Sequence, residues 1–524
     1  MFLAQPVLIA VSLVVVTLAK ASALNFQPLV LSPDLINVGT ASLHADREQF
    51  ILTGTAKDGG CVVGLLTKNL VLLALRFFPG VSTDYCGFAS VDSAGDILVQ
   101  GISRSPDFRF TSELEPGVAS IQFVMKLSRE SLATRFSIRV GLGAILGFAV
   151  AHDDTIWLGG WALRGLPTTP DAVWRHYFDG TFVDPRERAG FIARLSADGR
   201  KILYCTYLGG YRDAVGTLSI DRDDNVYAAG TQIWKFSRTG RLIWSTWLPP
   251  SSALGSAVGP DGSFYIVGST GLGERLYTTP SAFQLEPYPS QSFPSPFNNR
   301  TYPVTSIDGF VARLSPSGEL IYSTLMGGVG SDYLSDVIVE DDGAAIVYGY
   351  SMGRLFPTRA ATALAGRGPV LAKISPDGTS AAFSTYTASG LRSPVPFPGG
   401  GLLMFSYIYS EAGTPQISAY RVTESPDALP RIDTAVNSAQ PRNGLTAGTN
   451  ATISGEGFSV VTGVTVGDVP ARIVSQSDCL LEIEIPASLP GLTPQAIFTG
   501  DVRLFRGSEI LQQIRVQVFA PFLP

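Results

Sequence analysis

A short phrase returns along most of this chain, and it constrains the fold more than any other feature. Residues 190–196 read Gly-Phe-Ile-Ala-Arg-Leu-Ser, and residues 309–315 read Gly-Phe-Val-Ala-Arg-Leu-Ser. Each copy precedes a Tyr-Cys/Ser-Thr stretch that ends in Gly-Gly, at 204–210 and 322–328. A repeating unit that cannot bury its own apolar faces must stack on copies of itself. The recurrence therefore predicts a repeat architecture.

Each unit divides into four short apolar segments, of which the first two flank an Asp/Gly turn. The clearest pair lies at 88–91 and 97–101. Seven such pairs occur, and also seven third segments, at 62–66, 123–127, 191–195, 233–236, 310–314, 370–374 and 417–422. Apolar residues in these segments alternate with a period of two, as strands require. Seven four-stranded units predict an all-β fold whose main domain is a seven-bladed β-propeller.

The seventh unit lacks its fourth segment, and this gap predicts how the ring closes. An apolar stretch at 28–31 precedes the first unit. We expect this N-terminal strand to form the outer strand of the last blade, because an unpaired third strand would leave an exposed edge. The predicted propeller therefore spans residues 24–425.

The N-terminal residues 1–23 predict a signal peptide. Residues 7–19 form an apolar run relieved only by Ser12 and Thr17, and residues 21–23 supply the small side chains needed for cleavage. The alternative is a transmembrane anchor, but the run is shorter than the roughly 20 residues that span a bilayer. The segment before the run lacks Lys and Arg, which departs from the usual signal pattern. We expect a secreted or envelope protein with no stable membrane span after cleavage.

Composition argues against two other classes of protein. Charged residues make up 16% of the chain and hydrophobic residues 45%, which is too apolar for a disordered chain. The formal net charge is −6, so the chain has no broad basic surface with which to neutralise phosphates. We therefore expect no nucleic-acid partner.

The four cysteines are too few and too widely spaced for a zinc cluster or a disulfide-built domain. Cys61 and Cys86 are the only pair that the predicted topology places on one rim of the propeller. A single disulfide between them is conceivable in an exported protein, and the sequence leaves the pairing open.

Residues with catalytic or metal-binding chemistry are sparse. His44 and His152 both fall at first segments, but of units that are not adjacent, and His176 lies in an insertion. Asp-Arg-Asp-Asp-Asn at 221–225 has the look of a calcium loop, yet it lacks the sixth-position glycine and distal glutamate, and its position favours a hairpin turn. No Gly-x-Ser-x-Gly elbow is present. The sequence predicts no catalytic residues, no metal site and no cofactor.

A cation recurs near the end of the third segments, at Lys126, Arg194, Lys235, Arg313 and Lys373. One interpretation is a ring of positive charge for an acidic ligand. The alternative is a repeated structural duty, in which each stem lies along the neighbouring blade and the charge reaches water or a carboxylate. A repeated position favours the structural duty.

Long insertions separate the second and third segments at 103–122, 162–189, 270–308 and 351–369. Antiparallel order places all of them on the rim that also carries the links between blades, and loops on a rigid scaffold commonly carry recognition. Alternatively, their aromatic side chains pack the loops onto the rim. The candidate ligand-binding residues are Trp161, Trp174, Tyr177, Tyr277, Phe283 and Tyr302.

From about residue 430 the pattern changes. Residues 430–524 carry short alternating strands such as 481–485 and 514–518, separated by turn residues, as a small Ig-like β-sandwich requires. The phrases at 431–439, 447–458 and 464–474 resemble the Ig-like IPT/TIG class.

The repeated phrases of the propeller resemble the bacterial SBBP β-propeller repeat. The resemblance rests on Phe-Val/Ile-Ala-Arg-Leu-Ser, Tyr-Ser-Thr-x-x-Gly-Gly, Val-Asp-x-x-Gly and a Phe/Tyr-x-Thr-Pro-x-Ala-Phe-Gln phrase at 277–284. It covers roughly residues 40–425. It implies a propeller in an envelope or extracellular setting, and it brings no established catalytic residues.

These observations lead to three functional hypotheses. The first is a secreted, noncatalytic binding or adhesion protein that presents a loop-rich propeller face to a glycan or protein ligand. The second is a polysaccharide lyase or hydrolase on the same scaffold, which would gather two or more carboxylates and a basic group in one rim pocket. The third is a structural component of the cell envelope.

Overall fold

The computed structural model describes most of the chain between residues 24 and 521. The intervals outside the description are 30–37, 46–48, 57–58, 81–83, 116–120, 177–187, 211–212, 249–250, 272–275, 288–290, 295–300, 305–306, 329, 353–355, 360–367, 388–390, 410–414, 425–430, 439–444, 478–479 and 494–495. The signal peptide predicted at 1–23 lies outside the described residues.

Seven antiparallel sheets follow one another along the chain and form a seven-bladed propeller, which confirms the predicted fold class. We number the blades 1 to 7 from the first complete sheet, and call their strands inner, second, third and outer. The strands of blades 1 to 3 are Val38–Ala45, Gln49–Ala56, Cys61–Thr67 and Leu72–Phe78; Tyr85–Val91, Ile97–Ile102, Gln122–Leu127 and Thr134–Arg139; and Ala144–Val150, Ile156–Ala162, Ala189–Leu195 and Ile202–Leu208.

Blades 4 to 6 repeat the same order. Their strands are Thr217–Ile220, Val226–Ala229, Gln232–Phe236 and Leu242–Trp247; Ser251–Val258, Phe264–Thr270, Gly309–Leu314 and Leu320–Met326; and Asp332–Val339, Ala345–Ser351, Gly368–Ile374 and Ala381–Tyr386. The insertion of blade 5 adds a hairpin of Gln291–Pro294 with Thr301–Val304.

Blade 7 is assembled from both ends of the propeller sequence. Its first three strands are Leu391–Pro396, Leu402–Tyr409 and Pro415–Glu424, and its outer strand is the N-terminal Leu24–Leu29. Leu24 pairs with Glu424 and Leu29 with Ala419, in antiparallel register. The closing strand therefore begins four residues before the predicted stretch at 28–31, and it overlaps that stretch only at its end.

The core lies between blades, where apolar side chains of adjacent sheets interlock. Tyr204 of blade 3 packs on Phe236 of blade 4 with ring centroids 6.3 Å apart. Tyr227 of blade 4 stacks on Phe264 of blade 5 at 4.6 Å. A fully buried aromatic ring contributes about 1.5–3 kcal/mol relative to an exposed one. Each blade is thus stabilised by its neighbours, as a repeat architecture requires.

The propeller has two chemically different faces. The turn face carries the hairpins that join inner to second strands and third to outer strands. The insertion face carries the connections between second and third strands, where all four long insertions lie, together with the links between blades. This distribution agrees with the prediction from antiparallel order.

The insertions also run along the outer edges of their own blades. In blade 3 the N–H of Thr169 donates to the carbonyl of Cys205, at 3.0 Å. In blade 5 the N–H of Thr279 donates to the carbonyl of Ser323, also at 3.0 Å. Blade 2 uses Ser112–Glu113, which pair parallel to the outer strand. These segments cover strand edges that would otherwise be exposed.

The C-terminal domain is a second all-β unit. In spatial order its strands are Arg431–Asn437, Asn450–Glu456, Leu480–Glu484, Val469–Gln476, Gly463–Val466, Phe498–Arg506, Glu509–Phe519 and Leu445–Thr446. Residues from both ends of this order, such as Ile432 and Val518, belong to one buried apolar cluster. The sheet therefore closes over a single core, as an Ig-like sandwich does. In the described part of the chain, no helix is long and apolar enough to cross a membrane.

Candidate functional site

The insertion face presents only some of the predicted aromatic residues to solvent. Trp174 is 43% exposed and Tyr277 is 62% exposed. Trp161 is half-buried, with the guanidinium of Arg188 5.0 Å from its ring centroid. Phe283 is half-buried and packs against the core between blades 5 and 6. Trp174 and Tyr277 are therefore the described candidates that a ligand can reach.

Two further predicted residues give no side-chain information. Tyr177 lies outside the described residues. Tyr302 belongs to the strand Thr301–Val304, but its side chain lies outside the description.

A disulfide joins blade 1 to blade 2. Cys61 begins the third strand of blade 1 and Cys86 lies in the inner strand of blade 2, with their Cα atoms 5.3 Å apart. Both residues are fully buried. Cys205 is a buried free thiol, and burial raises its pKa above the usual range. The thiol of Cys205 is therefore not an activated nucleophile.

The turn face carries a polar cavity of about 700 Å³ at the ends of the inner strands of blades 1 to 3. This volume lies within the range of small-molecule sites, about 300–1,000 Å³. Residues 89–95, at the end of the blade 2 inner strand and in the hairpin that follows it, form much of its wall. The polar side chains that line it are His44, Ser90, Asp92, Ser93, Arg129 and His152. The structure thus places on one cavity two histidines that the sequence assigns to non-adjacent units.

His44 is held as a neutral imidazole. Its Nε2 atom lies 3.0 Å from the carbonyl oxygen of Gly87 and 3.1 Å from the hydroxyl of Thr53. Burial lowers the pKa of His44 to about 4, against a smaller opposing contribution from the Gly87 carbonyl. Because a carbonyl oxygen can only accept, Nε2 of His44 carries the proton and donates to Gly87. The Thr53 hydroxyl donates to the same carbonyl oxygen at 2.6 Å. The unprotonated Nδ1 remains the acceptor of this imidazole.

His152 is oriented by the neighbouring blade. Its Nδ1 atom lies 2.7 Å from a carboxylate oxygen of Asp224, which also accepts the backbone N–H of His152 at 2.8 Å. The same kind of contact joins blades 2 and 3, because Asp154 of blade 3 accepts the backbone N–H of Ser93 in the blade 2 hairpin at 2.6 Å. Asp154 and Asp224 adopt left-handed φ angles of 64° and 60°, a conformation that Asp tolerates better than most residues. A carboxylate from each of these two hairpins therefore binds the backbone of the hairpin in the preceding blade.

The recurring cations have the structural duty that their repetition suggested. Each pairs with an acidic side chain at the end of its own blade's inner strand or in the adjoining hairpin: Lys126 with Asp92, Arg194 with Asp153, Lys235 with Asp221, Arg313 with Asp261 and Lys373 with Glu340. Burial tends to raise the pKa of Asp153, but hydrogen bonds from Thr155 and the charge of Arg194 outweigh it and lower the pKa. These cations are engaged within the protein rather than offered as a ring to an acidic ligand.

The 221–225 stretch forms a hairpin turn, as its position favoured. One carboxylate oxygen of Asp221 accepts the backbone N–H groups of Asp223 and Asn225, at 3.0 and 2.8 Å. The other oxygen faces Lys235 at 3.3 Å. Among the described residues, no three His, Cys, Asp or Glu side chains are grouped so as to hold a metal ion.

A second turn-face cavity of about 340 Å³ lies between blades 4 and 5. It collects three carboxylates, Asp221, Asp223 and Asp261, with Arg222 and Lys235. These groups satisfy the requirement of the lyase or hydrolase hypothesis, which is two or more carboxylates and a basic group in one pocket. However, hydrogen bonds from Ser263 and the charge of Arg313 outweigh burial and lower the pKa of Asp261, whereas a general acid needs a raised pKa.

The sequence signal that locates the larger cavity is weak. Its walls come from hairpins that look like ordinary Asp/Gly turns, and His44 and His152 stand 108 positions apart. The two positions are not equivalent in the repeat, since His44 pairs with Ile51 inside its strand and His152 lies two residues beyond Val150, the last residue of its strand. Only their common place near the turn-face end of an inner strand links them.

Comparison with protein families matches residues 435–509 to the IPT/TIG domain. This agrees with the resemblance identified from the C-terminal phrases. A propeller followed by an Ig-like domain is an architecture consistent with a binding or adhesion role. Comparison with curated proteins finds no match.

Comparison with solved structures finds matches of low sequence identity. The Pan2 WD40 domain of Neurospora crassa has 10% identity and a TM-score of 0.39, covering 78% of this chain and 98% of its own. BamB from Moraxella catarrhalis has 12% identity and a TM-score of 0.33, covering 73% and 85%. Quinohemoprotein alcohol dehydrogenase from Comamonas testosteroni has 9% identity and a TM-score of 0.42, covering 72% and 66%. These similarities are too distant to transfer a function.

Proposed function

We propose that this protein is a secreted, noncatalytic binding or adhesion protein that holds a glycan in the turn-face cavity between blades 1 and 3. The observation that carries the proposal is the cavity itself, with a volume of about 700 Å³ and two imidazoles, serine hydroxyls and a guanidinium in its lining. Such groups bind sugar hydroxyls through directional hydrogen bonds.

The electrostatics of the cavity favour binding over catalysis. Among the described residues that line it, Asp92 is the one carboxylate, and it is buried and paired with Lys126. His44 stays neutral at physiological pH because burial lowers its pKa. A neutral imidazole held by two partners serves as a fixed hydrogen-bonding group, whereas a general acid or base needs a pKa near the working pH. The buried disulfide is typical of exported proteins and supports secretion.

The insertion face offers a second ligand surface. Trp174 and Tyr277 are exposed there, and aromatic rings stack on sugar faces. We rank it second because each of the two residues belongs to a segment that covers the edge of its own blade.

A glycan array on the purified protein, followed by calorimetry with the best ligand, tests the proposal. Two double variants compare the surfaces: Arg129→Ala with His152→Ala on the turn face, and Trp174→Ala with Tyr277→Ala on the insertion face. Arg238→Ala is the matched control, since Arg238 is exposed on the turn face in the third-to-outer hairpin of blade 4.

We expect the turn-face variant to bind at least about tenfold more weakly, because a lost hydrogen bond to a charged group costs on the order of 1.5–3 kcal/mol. The control should bind like the wild type. Loss of binding only in the insertion-face variant would move the site to that face. Absence of any glycan ligand would overturn the proposal.

A further inference from the structure

The insertion segments that cover the outer strands of blades 2, 3 and 5 are each held by a threonine. The pairs are Thr111 with Ser137, Thr169 with Cys205 and Thr279 with Ser323. In each pair the threonine N–H donates to the outer-strand carbonyl, at 2.6, 3.0 and 3.0 Å. The outer-strand N–H donates in return to the threonine hydroxyl, at 3.0, 3.1 and 3.4 Å. The three outer-strand residues share one register, since each pairs with the third-strand residue before the recurring cation.

In blades 3 and 5 the segment makes a second contact five residues after the threonine. The hydroxyl of Thr206 accepts the N–H of Trp174 at 3.0 Å, and the N–H of Tyr207 donates to the carbonyl of Trp174 at 3.2 Å. Blade 5 repeats both bonds with Gln284, at 2.9 and 3.1 Å. Both segments read Thr-Pro-x-Ala followed by an apolar residue. A Cys/Ser-Thr pair on the outer strand is therefore a receptor for this phrase.

The segments bury the outer strands that they cover. In blade 6, where the covering residue is Arg359, two backbone hydrogen bonds of 2.8 and 2.7 Å join it to Ser384. Tyr207, Leu325 and Tyr386 share the register two positions after the contact in blades 3, 5 and 6. Their exposed fractions are only 4%, 1% and 3%. A large side chain at this register is thus buried in all three blades.

Blade 4 has the same receptor without a segment. Ser245 pairs with Trp234 in the common register, and Thr246 follows it. Only two residues separate the second strand of this blade from its third, so the connection is too short to cover the outer strand. In the described part of the chain, no hydrogen bond reaches the outward backbone groups of Ser245 or Trp247. Trp247 occupies the register of Tyr207 but is 65% exposed.

Blade 1 shows that a short connection does not require this receptor. Its second and third strands are also joined without a long insertion. At the receptor positions its outer strand carries Leu75 and Arg76. The Arg76 side chain donates to the carbonyl of Leu132 at 2.5 Å, and its guanidinium lies 4.6 Å from the ring centroid of Phe78. Arg76 is thus engaged within the protein, whereas blade 4 combines a complete receptor with an edge that no described segment covers.

Every copy of the phrase in this chain is already engaged. Thr-Pro-x-Ala begins at three positions, Thr169, Thr279 and Thr493. The first two copies are bound to blades 3 and 5. In the C-terminal domain the N–H of Thr493 donates to the carbonyl of Ala496 at 3.3 Å, and the Thr493 hydroxyl accepts the N–H of Ala496 at 3.0 Å. The groups with which Thr493 could bind a receptor are therefore used within its own turn.

We propose that the outer edge of blade 4 binds an extended segment of a partner protein, one that reads Thr-Pro-x-Ala followed by an apolar residue. The threonine of this segment exchanges two hydrogen bonds with Ser245, as Thr169 and Thr279 do in blades 3 and 5. The segment residue five positions later bonds to the Thr246 hydroxyl and to the N–H of Trp247. Addition of a segment to a free sheet edge is a common mode of peptide recognition. These edge residues are not among those that line the turn-face cavity, so the proposal is independent of glycan binding.

Titration with a synthetic peptide of residues 277–286 tests the proposal, because this peptide contains the blade 5 phrase. We expect saturable binding by calorimetry. Tryptophan fluorescence should shift to shorter wavelength, since the peptide covers Trp247. A peptide with Thr279→Val lacks the hydroxyl that accepts the N–H of Ser245, and it should bind about three- to tenfold more weakly.

Variants of the protein locate the binding site. Ser245→Pro removes the outward N–H, a change that edge strands tolerate, and should weaken binding at least about tenfold. Thr246→Val removes the hydroxyl of the second contact and should weaken binding at least about threefold. Ile243→Thr is the matched control and should bind like the wild type. Its equivalents Leu203 and Ile321 stay 42% and 43% exposed beside their bound segments, so a segment does not cover this position. Melting curves confirm that each variant is folded.

Absence of saturable binding at millimolar peptide would refute the proposal, and so would equal binding by wild type, Ser245→Pro and Thr246→Val. Sedimentation velocity without peptide checks for a different occupant, a second copy of this protein. We expect no self-association that depends on Ser245. Association of the wild type that Ser245→Pro abolishes would assign the edge to a second copy and overturn the proposal.

Discussion

Asp332 begins the inner strand of blade 6 as a fully buried carboxylic acid. Burial raises its pKa to about 6, although the hydroxyl of Ser351 and the N–H of Gly328 oppose the shift. The folded protein therefore holds the proton more tightly than the unfolded chain does. Its contribution to stability is complete below pH 3.8 and is lost as the pH rises through about 6.

Asp332→Asn should flatten this pH dependence, because asparagine does not ionise. In the wild type the free energy of unfolding should fall between pH 4 and pH 7 by on the order of 2–3 kcal/mol through this group. The variant should lose most of that difference in urea titrations at the two pH values. Asp341→Asn, at an exposed turn position of the same blade, is the control and should keep it. An equal pH difference in Asp332→Asn and wild type would contradict the assignment.

At the scale of the strand, a glycine recurs at or near the end of the second strand, and the close approach of a neighbouring backbone explains why. Gly160, Gly268 and Gly349 lie two residues before the end of their second strands, and Gly230 directly follows its second strand. A Cβ atom at these positions would lie 1.8–2.0 Å from a backbone carbonyl oxygen, which belongs to the inner strand in blades 3, 5 and 6 and to Ala214, just before the inner strand, in blade 4. Real Cβ atoms do not approach backbone oxygen so closely, so only glycine fits. A short-range pattern thus records a contact between strands.

The disulfide is an element-scale constraint that links the third strand of blade 1 to the inner strand of blade 2. It closes a loop with a sequence separation of 25. Replacing both Cys61 and Cys86 by Ala should lower the free energy of unfolding by about 3 kcal/mol, the loop-closure contribution expected for a loop of this size. Urea denaturation measures the loss.

Cys205→Ala separates this effect from the loss of buried sulfur, because Cys205 is a buried free cysteine. Mass spectrometry of the alkylated protein with and without reduction checks the bond directly. Labelling of Cys61 and Cys86 without reduction would show that the bond is absent.

At the scale of the whole molecule, the ring depends on its first strand. Leu24–Leu29 supply the outer strand of blade 7, and Leu24 and Val422 share a buried cluster with residues of blade 6. The N-terminal strand thereby pairs with the third strand of blade 7, whose outer edge would otherwise be open. Its removal would expose the backbone groups of residues 419–424 along one side.

A chain that begins at residue 30 should therefore be less stable and more prone to aggregate than one that begins at residue 24. We expect a lower melting temperature and concentration-dependent light scattering, since the freed strand can pair with another chain. A chain beginning at residue 24 is the control. Equal melting temperatures for the two would show that the N-terminal strand does not close the ring.

The sequence by itself determined the repeat unit, the number of blades, the closing role of the N-terminal region and the second Ig-like domain. These follow from short-range periodicity and from turn residues that recur at fixed offsets. The SBBP resemblance stays a prediction, and the predicted aromatic site is untested.

The tertiary structure alone decided which distant groups meet. His44 and His152 line one cavity together with residues 89–95 of blade 2, and no local sequence pattern encodes that arrangement. Cys205 and Ser323 look like features of their strands in the sequence, yet they bond to Thr169 and Thr279, which stand 36 and 44 positions earlier. Periodicity reports what each blade must bury, whereas binding surfaces arise from what neighbouring blades leave exposed.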